Sequence, residues 1–525
     1  MSKNSRRKTQ TAPHGNSHDT VDLHAIARQA MLDRGFLVQL PEDAQKQLAT
    51  EGETLLDYPD ARDLTGWMWS SIDNDESRDL DQIEYVKSEA GGIRLYVGIA
   101  DVDWFVPLRS PLDTAAQHNT ISVYTGVQTF PMLPEKLSTN LSSLNEGQKR
   151  RAVIVEMLVG NDGRILESGL SAAIVQNRAQ LTYDAVAFWL QSNSPSARDS
   201  SQSDQGSPRG TLSPVGERVW AKIDSSEELK EQLRIQDRIA LILRNRRHEA
   251  GALNFQTSEL EPLLSSEGTV VDLKAREPNR AGRLIEDFMV AANQVTATFL
   301  EQQDFPSVRR VVEVPEHWDR IAALAAEKGA RLPQQPDSRS LEDFLGEQQQ
   351  RDPDHFPDLS LSIIKLLGRG EYKVKSPGQP SPGHFALAVQ NYSHSTAPNR
   401  RYSDLLTQRL IKAAVQKRNC PYSIDDLETL ARRCTEKEDD ANKVERFVKK
   451  CAAAVVLRAR IGQIFHGFIT GASEKGTWVR VKRPPVEGKL IGDVAKLQVG
   501  DKVSARLVST DPQKGFIDFE LLHRS

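Results

Sequence analysis

The stretch "SIDNDESRDLDQIEYV", residues 71–86, limits what this chain can fold into more than any other. It packs six acids (Asp73, Asp75, Glu76, Asp79, Asp81 and Glu84) into twelve residues. Two carboxylates about 5 Å apart near a protein surface repel by roughly 3 kcal/mol at an effective dielectric of about 20. Ile72, Leu80, Ile83 and Tyr85 interleave the acids, so part of the stretch belongs in a core. Buried carboxylates without partners are too costly to leave alone. The fold must therefore bury this stretch in part and bring something positive to it.

Three occupants compete. Taking Asp73 as the first position of a calcium loop puts Asp75, Ser77, Asp79, Asp81 and Glu84 at formal ligand positions. Arg78 stands where that loop needs a glycine, and "GGIRLYVGIADV" downstream reads as strand rather than flanking helix, so the calcium loop is rejected. A solvated acidic loop is the usual fate of a charge run, but the interleaved apolar residues oppose it. Magnesium remains. Hard oxygen ligands suit Mg²⁺, which keeps waters and binds substrate phosphates, and two such ions can hold the attacking and leaving oxygens of a phosphoryl displacement.

Composition is consistent with a multidomain protein whose nucleic-acid surface is local. The 525 residues allow three or four domains at roughly 150 residues each. The net charge of −4 announces no general polyanion binder. Three widely spaced cysteines, Cys420, Cys434 and Cys451, suit a reducing compartment better than a zinc or disulfide framework. The start is basic and polar, unlike a secretory signal, and no apolar run has the length of a membrane span. The expectation is a cytoplasmic protein with a disordered tail over residues 1–20 and no membrane or small-molecule cofactor.

Along the chain, Leu23, Ile26, Ala27, Ala30 and Met31 recur at helical spacing, and "PEDAQKQLA" reads as a second helix, giving a small helical module over 21–60. "IRLYVGIADV" and "AVIVEMLV" read as buried strands, whereas "EELKEQLRIQDRIALILRNRRHEAG" and "AGRLIEDFMVAANQVTATFLEQ" read as helices. That mixture predicts an α+β domain with mixed sheets and surrounding helices. The Ser/Pro/Gly/Gln-rich residues 191–217 read as a flexible insertion. Residues 460–523 hold five alternating runs separated by Gly and Asp turns, which predicts a five-stranded OB-fold β-barrel. On it Phe465, Phe468 and Trp478 sit among Arg480 and Lys482. Any one of these aromatics is more readily a core residue, but together with the cations they suit base stacking and phosphate contact.

"IDNDESRDLDQ" resembles the acidic motif of the ribonuclease II/R family, whose catalytic module is the RNB domain. In the same order come "IADVDWFVP", "SVYTGVQTFPMLPEKLSTNLSSLNEGQKR", "AQLTYDAV", "RNRRHEAGALNF", "RLIEDFMVAANQ" and "YSHSTAPNRRYSDLLTQRL". The resemblance runs from about Leu64 to Ala414, implies a catalytic domain over 61–455, and continues into a barrel that looks like an S1-type RNA-binding domain. It implies a monomer that degrades single-stranded RNA processively from the 3′ end, hydrolytically, to nucleoside 5′-monophosphates, with two Mg²⁺ ions. Carried over by position, Asp73, Asp79 and Asp81 match three of four acidic positions that hold metal, with Asp79, Asp81 and Arg400 expected at the chemistry. Tyr124 matches the aromatic that holds a base near the 3′ end, Arg400 the arginine on the scissile phosphate, and Glu445 a glutamate near the terminal nucleotides. Arg401 is expected to contact RNA beside it, although a surface ion pair with Asp404 is its plainer reading.

Three departures stand out. Gln82 replaces the fourth acid, bringing an amide oxygen but no charge, and Asp75 is a conceivable substitute. "TAPNRRY" replaces the commoner "TSPIRRY", so Ala397 and Asn399 alter the loop of Arg400. The residues before the catalytic domain are too few for the family's usual two cold-shock barrels. Gln82 motivates an alternative: a catalytically degenerate RNB-fold protein that binds RNA without cutting it.

Overall fold

The protein is described here from a computed structural model, which places residues 21–52, 61–193, 212–257, 259–265, 270–276, 279–353, 355–380, 383–473, 476–481, 483–495 and 497–524. The expected tail and residues 194–211 of the expected insertion lie outside these described residues.

Two helices come first, α1 (Leu23–Asp33) and α2 (Glu42–Thr50). Asp22 caps α1 by accepting a hydrogen bond from the amide of Ala25 at 2.9 Å, which satisfies one of the donors a helix start leaves open. The apolar stripe Leu23, Ala27, Ala30 and Met31 is buried. The two helices do not build a core of their own. Helix α1 shares a cluster with Val444 and Val448 from late in the chain, and Ala44 of α2 joins the main core.

The main sheet uses β1 (Arg62–Asp63), β2 (Trp69–Asp73), β3 (Gln82–Glu89), β4 (Gly92–Ala100), β7 (Lys149–Gly160) and β8 (Ile165–Thr182). Between β4 and β7 lie α3 (Pro111–Asn119) and the short hairpin β5 (Val123–Tyr124) and β6 (Thr129–Phe130). The strand order is β1-β8-β2-β3-β4-β7, and β8 pairs with β7 as well, so the sequence of pairings returns to its start. The sheet is mixed: β2 runs parallel to β8 and antiparallel to β3. The acidic stretch is the connection from β2 to β3, with Asp73 ending one strand and Gln82 opening the next.

Both faces of this sheet are covered, as its strings of buried residues require. One face packs on α4 (Tyr183–Ser192), α5 (Pro214–Asp224), α6 (Glu227–Glu249) and α7 (Arg280–Gln302), in a cluster including Ile72, Val97, Leu233 and Phe288. Residues 214–217, expected in the flexible insertion, instead form the first turn of α5, capped by the Ser213 side chain on the amide of Gly216 at 2.9 Å. Arg244 and Arg247, from the "RNRRHEAG" motif, both grip Asp287 of α7, the first at 2.6 Å. Across the chain follow the hairpin β9 (Glu259–Leu264) and β10 (Val270–Arg276), the pair β11 (Ser307–Val311) and β12 (Glu371–Lys375), and α8 (Trp318–Glu327), α9 (Ser338–Arg351) and α10 (Phe356–Leu367) with a cluster of their own.

The other face of the sheet packs on α11 (Tyr402–Val415) and the start of the 35-residue α12 (Ile424–Arg458). Buried charge fixes α11 to the end of β4. Asp101 pairs with Lys412 at 2.9 Å, and Asp103 with both Lys412 and Arg409 at 2.9 Å. These are the acids of the "IADVDWF" motif, and they set where α11 begins, directly after Arg400 and Arg401.

The C-terminal strands β13 (Ile464–Ser473), β14 (Gly476–Val481), β15 (Glu487–Ile491), β16 (Lys502–Asp511) and β17 (Phe516–Arg524) close into a barrel of order β13-β14-β15-β17-β16. Among the described residues, no helix is long and apolar enough to cross a membrane.

Candidate active site and nucleic-acid face

The β2–β3 connection is fastened along its length. The amide of Leu80 donates to Oγ of Ser143 at 3.0 Å, and the Leu80 carbonyl accepts from the amide of Leu144 at 3.0 Å. The Asp81 carbonyl accepts from the amide of Ala100 at 2.9 Å. These bonds bury Leu80 and Asp81 and leave Asp79 between two anchored neighbours.

Arg400 is the positive group the acids require. Its Nε lies 3.3 Å from Oδ2 of Asp81, and 45% of its side chain stays open to solvent. Oδ1 of Asp81 accepts from the amide of Asn399 at 3.0 Å. Burial nevertheless pushes the Asp81 carboxyl up to about 7, against the lowering pull of Arg400. Burial raises Asp73 to about 7 as well, opposed by Arg400 and reinforced by Asp79. Desolvation disfavours the charged form in both, and one arginine is not enough to offset it.

Tyr124 and Glu445 complete the cluster. The phenol of Tyr124 donates to Oδ2 of Asp79 at 3.0 Å, and the Tyr124 amide donates to Oε1 of Glu445 at 2.8 Å. Tyr124 nevertheless stays 38% exposed, which leaves its ring open to stack on a base.

The donor chemistry fits a hard divalent cation. Oδ2 of Asp73 is buried without a hydrogen bond, and Oδ2 of Asp81 has the Arg400 Nε beside it but no hydrogen bond, an arrangement that a further positive partner would relieve. The cage is not preformed: no group of three or more His, Cys, Asp or Glu among the described residues is arranged to hold a metal ion. Asp79 is engaged by Tyr124 and Asp81 by Arg400, which is why the acids are neighbours without converging. Gln82 turns its amide nitrogen to Oδ1 of Asp73 at 3.4 Å, so this side chain steadies an acid with a weak hydrogen bond. Asp75 is no substitute for it, because its carboxylate holds the Ser213 hydroxyl at the start of α5.

Several expected contacts come out differently. Arg401 makes the ion pair that was its plainer reading, to Asp404, with Nη2 to Oδ1 at 2.6 Å and Nε to Oδ2 at 2.9 Å, part-buried at the start of α11. Phe465 is a core residue of the barrel, 7% exposed and edge-on to Phe519 at 5.8 Å. Strand parity explains this: Phe465 and Phe468 are three apart and must point to opposite faces. Phe468 faces outward, in register with Arg480 on one side and Lys502 on the other, while Trp478 lies in register with Lys489. Lys482 falls outside the described residues.

Three residues that the sequence reading named without giving them a place at the site belong to its frame. Glu84 is wholly buried with neither carboxylate oxygen hydrogen-bonded, and burial, reinforced by Asp73, pushes its carboxyl well up. Its parity with Gln82 and Val86 in β3 was the available signal. Asp404 accepts from the Ala397 amide at 2.8 Å and so shapes the Arg400 loop. Asn399 holds Asp81 through its amide.

Comparison with known proteins agrees with this geometry. Residues 61–417 match the RNB domain and residues 463–522 the RNase II-type exonuclease C-terminal S1 domain. Ribonuclease R of Escherichia coli (strain K12) is 28% identical over 521 residues, covering 92% of this chain and 60% of that protein. The chain thus spans about 60% of the length of that curated relative. The structure of Mycoplasma genitalium RNase R in complex with ribose methylated single-stranded RNA superposes with a TM-score of 0.82 at 24% identity, over 97% of this chain and 79% of that one. Yeast Ssd1, described as a pseudonuclease, gives a TM-score of 0.66 at 16% identity over 93% of this chain and 58% of its own. The fold is therefore shared by a nuclease and a pseudonuclease. The chain belongs to the RNB-domain family, with its RNB domain followed by an RNase II-type C-terminal S1 domain.

Proposed function

We propose that this chain is a processive, hydrolytic 3′-to-5′ exoribonuclease that shortens single-stranded RNA to nucleoside 5′-monophosphates with two Mg²⁺ ions. The observation that carries the reading is the juxtaposition of Arg400 with Asp81 at 3.3 Å, beside Asp73 and Asp79, with the exposed Tyr124 hydrogen-bonded to Asp79. A fixed cation among desolvated carboxylates is what an incoming phosphate and its metal would complete.

Asp73, Asp79 and Asp81 would hold the metal, with Gln82 contributing at most a neutral oxygen. When bound, Mg²⁺ supplies an activated water and offsets charge on the phosphate. The Arg400 guanidinium presents N–H donors to the phosphate oxygens and, being charged at any working pH, stabilises the charge that builds on them. The Tyr124 ring stacks on a terminal base without choosing among bases, and Glu445 keeps that ring in place through its backbone amide. Outward Phe468 and Trp478, flanked by Arg480, Lys489 and Lys502, offer stacking and phosphate contacts to the strand upstream. The proposal includes a monomer working in the cytoplasm, which the three free cysteines suit.

The alternative, an RNB-fold protein that binds RNA without cutting it, is favoured by one observation: Gln82 stands as a donor to Asp73 where a fourth acid is expected. A 5′-labelled single-stranded RNA incubated in Mg²⁺ or EDTA separates the two. Stepwise loss from the 3′ end with release of 5′-monophosphates in Mg²⁺ alone supports the nuclease. Bound RNA that stays full length supports the alternative.

A further inference from the structure

We propose that Ser142 and Asn399 form a positioning clasp that holds Asp79, Asp81 and Arg400 in register, an inference that rests on the exoribonuclease reading of the same site. Asn399 is wholly buried; its amide donates to Asp81 at 3.0 Å and its side chain meets Oγ of Ser142 at 2.6 Å. Ser142 ends the π-helical turn Lys136–Leu141, and the residues after it hold the acidic stretch. Oγ of Ser143 donates to the Arg78 carbonyl at 2.8 Å and accepts from the Leu80 amide at 3.0 Å, on either side of Asp79. One uncharged segment, 142–144, thus ties the loop of the acids to the loop of the arginine.

The loops it joins come from distant parts of the chain. Acidic stretch and Arg400 lie more than 300 residues apart, and Asp81 bonds Asn399 across 318 positions. The direct contacts between the two loops also include that Asn399–Asp81 bond and the Arg400–Asp81 pair, both of which RNA and metal must disturb. The Ser142 hydroxyl faces both Oδ1 of Asn399 and the Leu137 carbonyl at 2.8 Å but has one proton, so turning the Asn399 amide over, to donate its otherwise unpartnered nitrogen to Oγ, satisfies all three groups. A polar pair buried to this degree is sensitive to loss of either partner.

The test is a double-mutant cycle of Ser142→Ala, Asn399→Ile and the two together, on the full chain. For each protein kcat and KM for 3′ shortening, RNA affinity, thermal midpoint, and amide hydrogen exchange over 78–83 and 397–401 are measured. Each single variant is expected to lower kcat about tenfold, with KM and RNA affinity within about twofold, and to speed exchange in both segments. The double variant is expected to lose no more kcat than either single variant, because each single change already removes the shared contact. Unchanged kcat in the single variants, or a loss confined to KM, overturns the proposal. A wild type that leaves RNA intact overturns the exoribonuclease reading instead. The clasp is then judged on exchange: faster exchange in Ser142→Ala at both segments upholds it, and a change confined to 140–144 overturns it.

Discussion

The phenol of Tyr124 donates to Oδ2 of Asp79 at 3.0 Å, while the backbone amide of the same tyrosine is held by Glu445. The proposed base platform and the proposed metal ligand are therefore one hydrogen-bonded unit, and Glu445 sets its position from α12. An RNA end that stacks on the ring also addresses the carboxylate beneath it.

Two changes at Tyr124 separate those roles. Tyr124→Ala removes the ring and should weaken binding of a short single-stranded RNA by about 1–3 kcal/mol, roughly five- to 150-fold in Kd. Tyr124→Phe keeps the ring and should bind within about threefold of wild type. Equal losses in the two variants would show that the hydroxyl, not the ring, carries the contact. Fluorescence anisotropy in EDTA measures both without turnover.

Gln82→Asp replaces the amide that steadies Asp73 with a fourth carboxylate. The Mg²⁺ concentration for half-maximal activity should fall several-fold, because a charged oxygen binds a hard cation better than a neutral one. In EDTA the same variant should melt below wild type, because a further carboxylate then faces Asp73. A Mg²⁺ titration of activity and a melting curve in EDTA check both halves; an unchanged Mg²⁺ requirement would remove Gln82 from the metal site.

On the barrel, the two aromatics predict opposite phenotypes. Phe465→Ala opens a cavity beside Phe519 and should destabilise the protein by about 3–5 kcal/mol. Trp478→Ala, on the outer face, should leave the melting curve nearly unchanged and weaken RNA binding several-fold. Thermal melts with RNA titrations decide, and a stable Phe465→Ala would contradict the core assignment.

His384 makes acid stability measurable. Burial, aided by Arg310, lowers its imidazole from an ordinary value of 6.5 to about 4, and its Nδ1 accepts from the Leu387 amide at 3.2 Å. The unfolded chain takes up a proton near 6.5 and the folded one only near 4, so stability falls as pH drops through that window. The loss reaches up to about 3 kcal/mol for this group. Denaturant unfolding between those pH values should show a shallower fall in His384→Gln, and an identical slope would contradict the assignment.

How much of this was legible in the sequence follows from the reach of each signal. The partial burial of the acids was legible from Ile72, Leu80 and Ile83 within the stretch, because those contacts are local in sequence. The barrel was legible from alternation and turns, and so was the opposite facing of Phe465 and Phe468, had parity been applied. The Arg401–Asp404 pair was legible as the plainer reading of Arg401, whereas the engagement of Asp75 with Ser213 was not, since a charged residue in a motif does not show which distant neighbour it faces. Asn399 was visible as a departure, but its partner Ser142 lies 257 positions away and no local pattern points to it.

The central claim is that Asp73, Asp79 and Asp81 serve a metal at the last phosphodiester of RNA, opposite Arg400. The most direct measurement compares wild type with Asp81→Asn on a 5′-labelled single-stranded RNA, each in Mg²⁺ and in EDTA, resolving products over time. The asparagine retains an oxygen for the Asn399 amide and loses the charge. The account predicts that only wild type in Mg²⁺ shortens the RNA from its 3′ end, while Asp81→Asn binds it and leaves it full length. Equal shortening by both proteins, or shortening in EDTA, would contradict it.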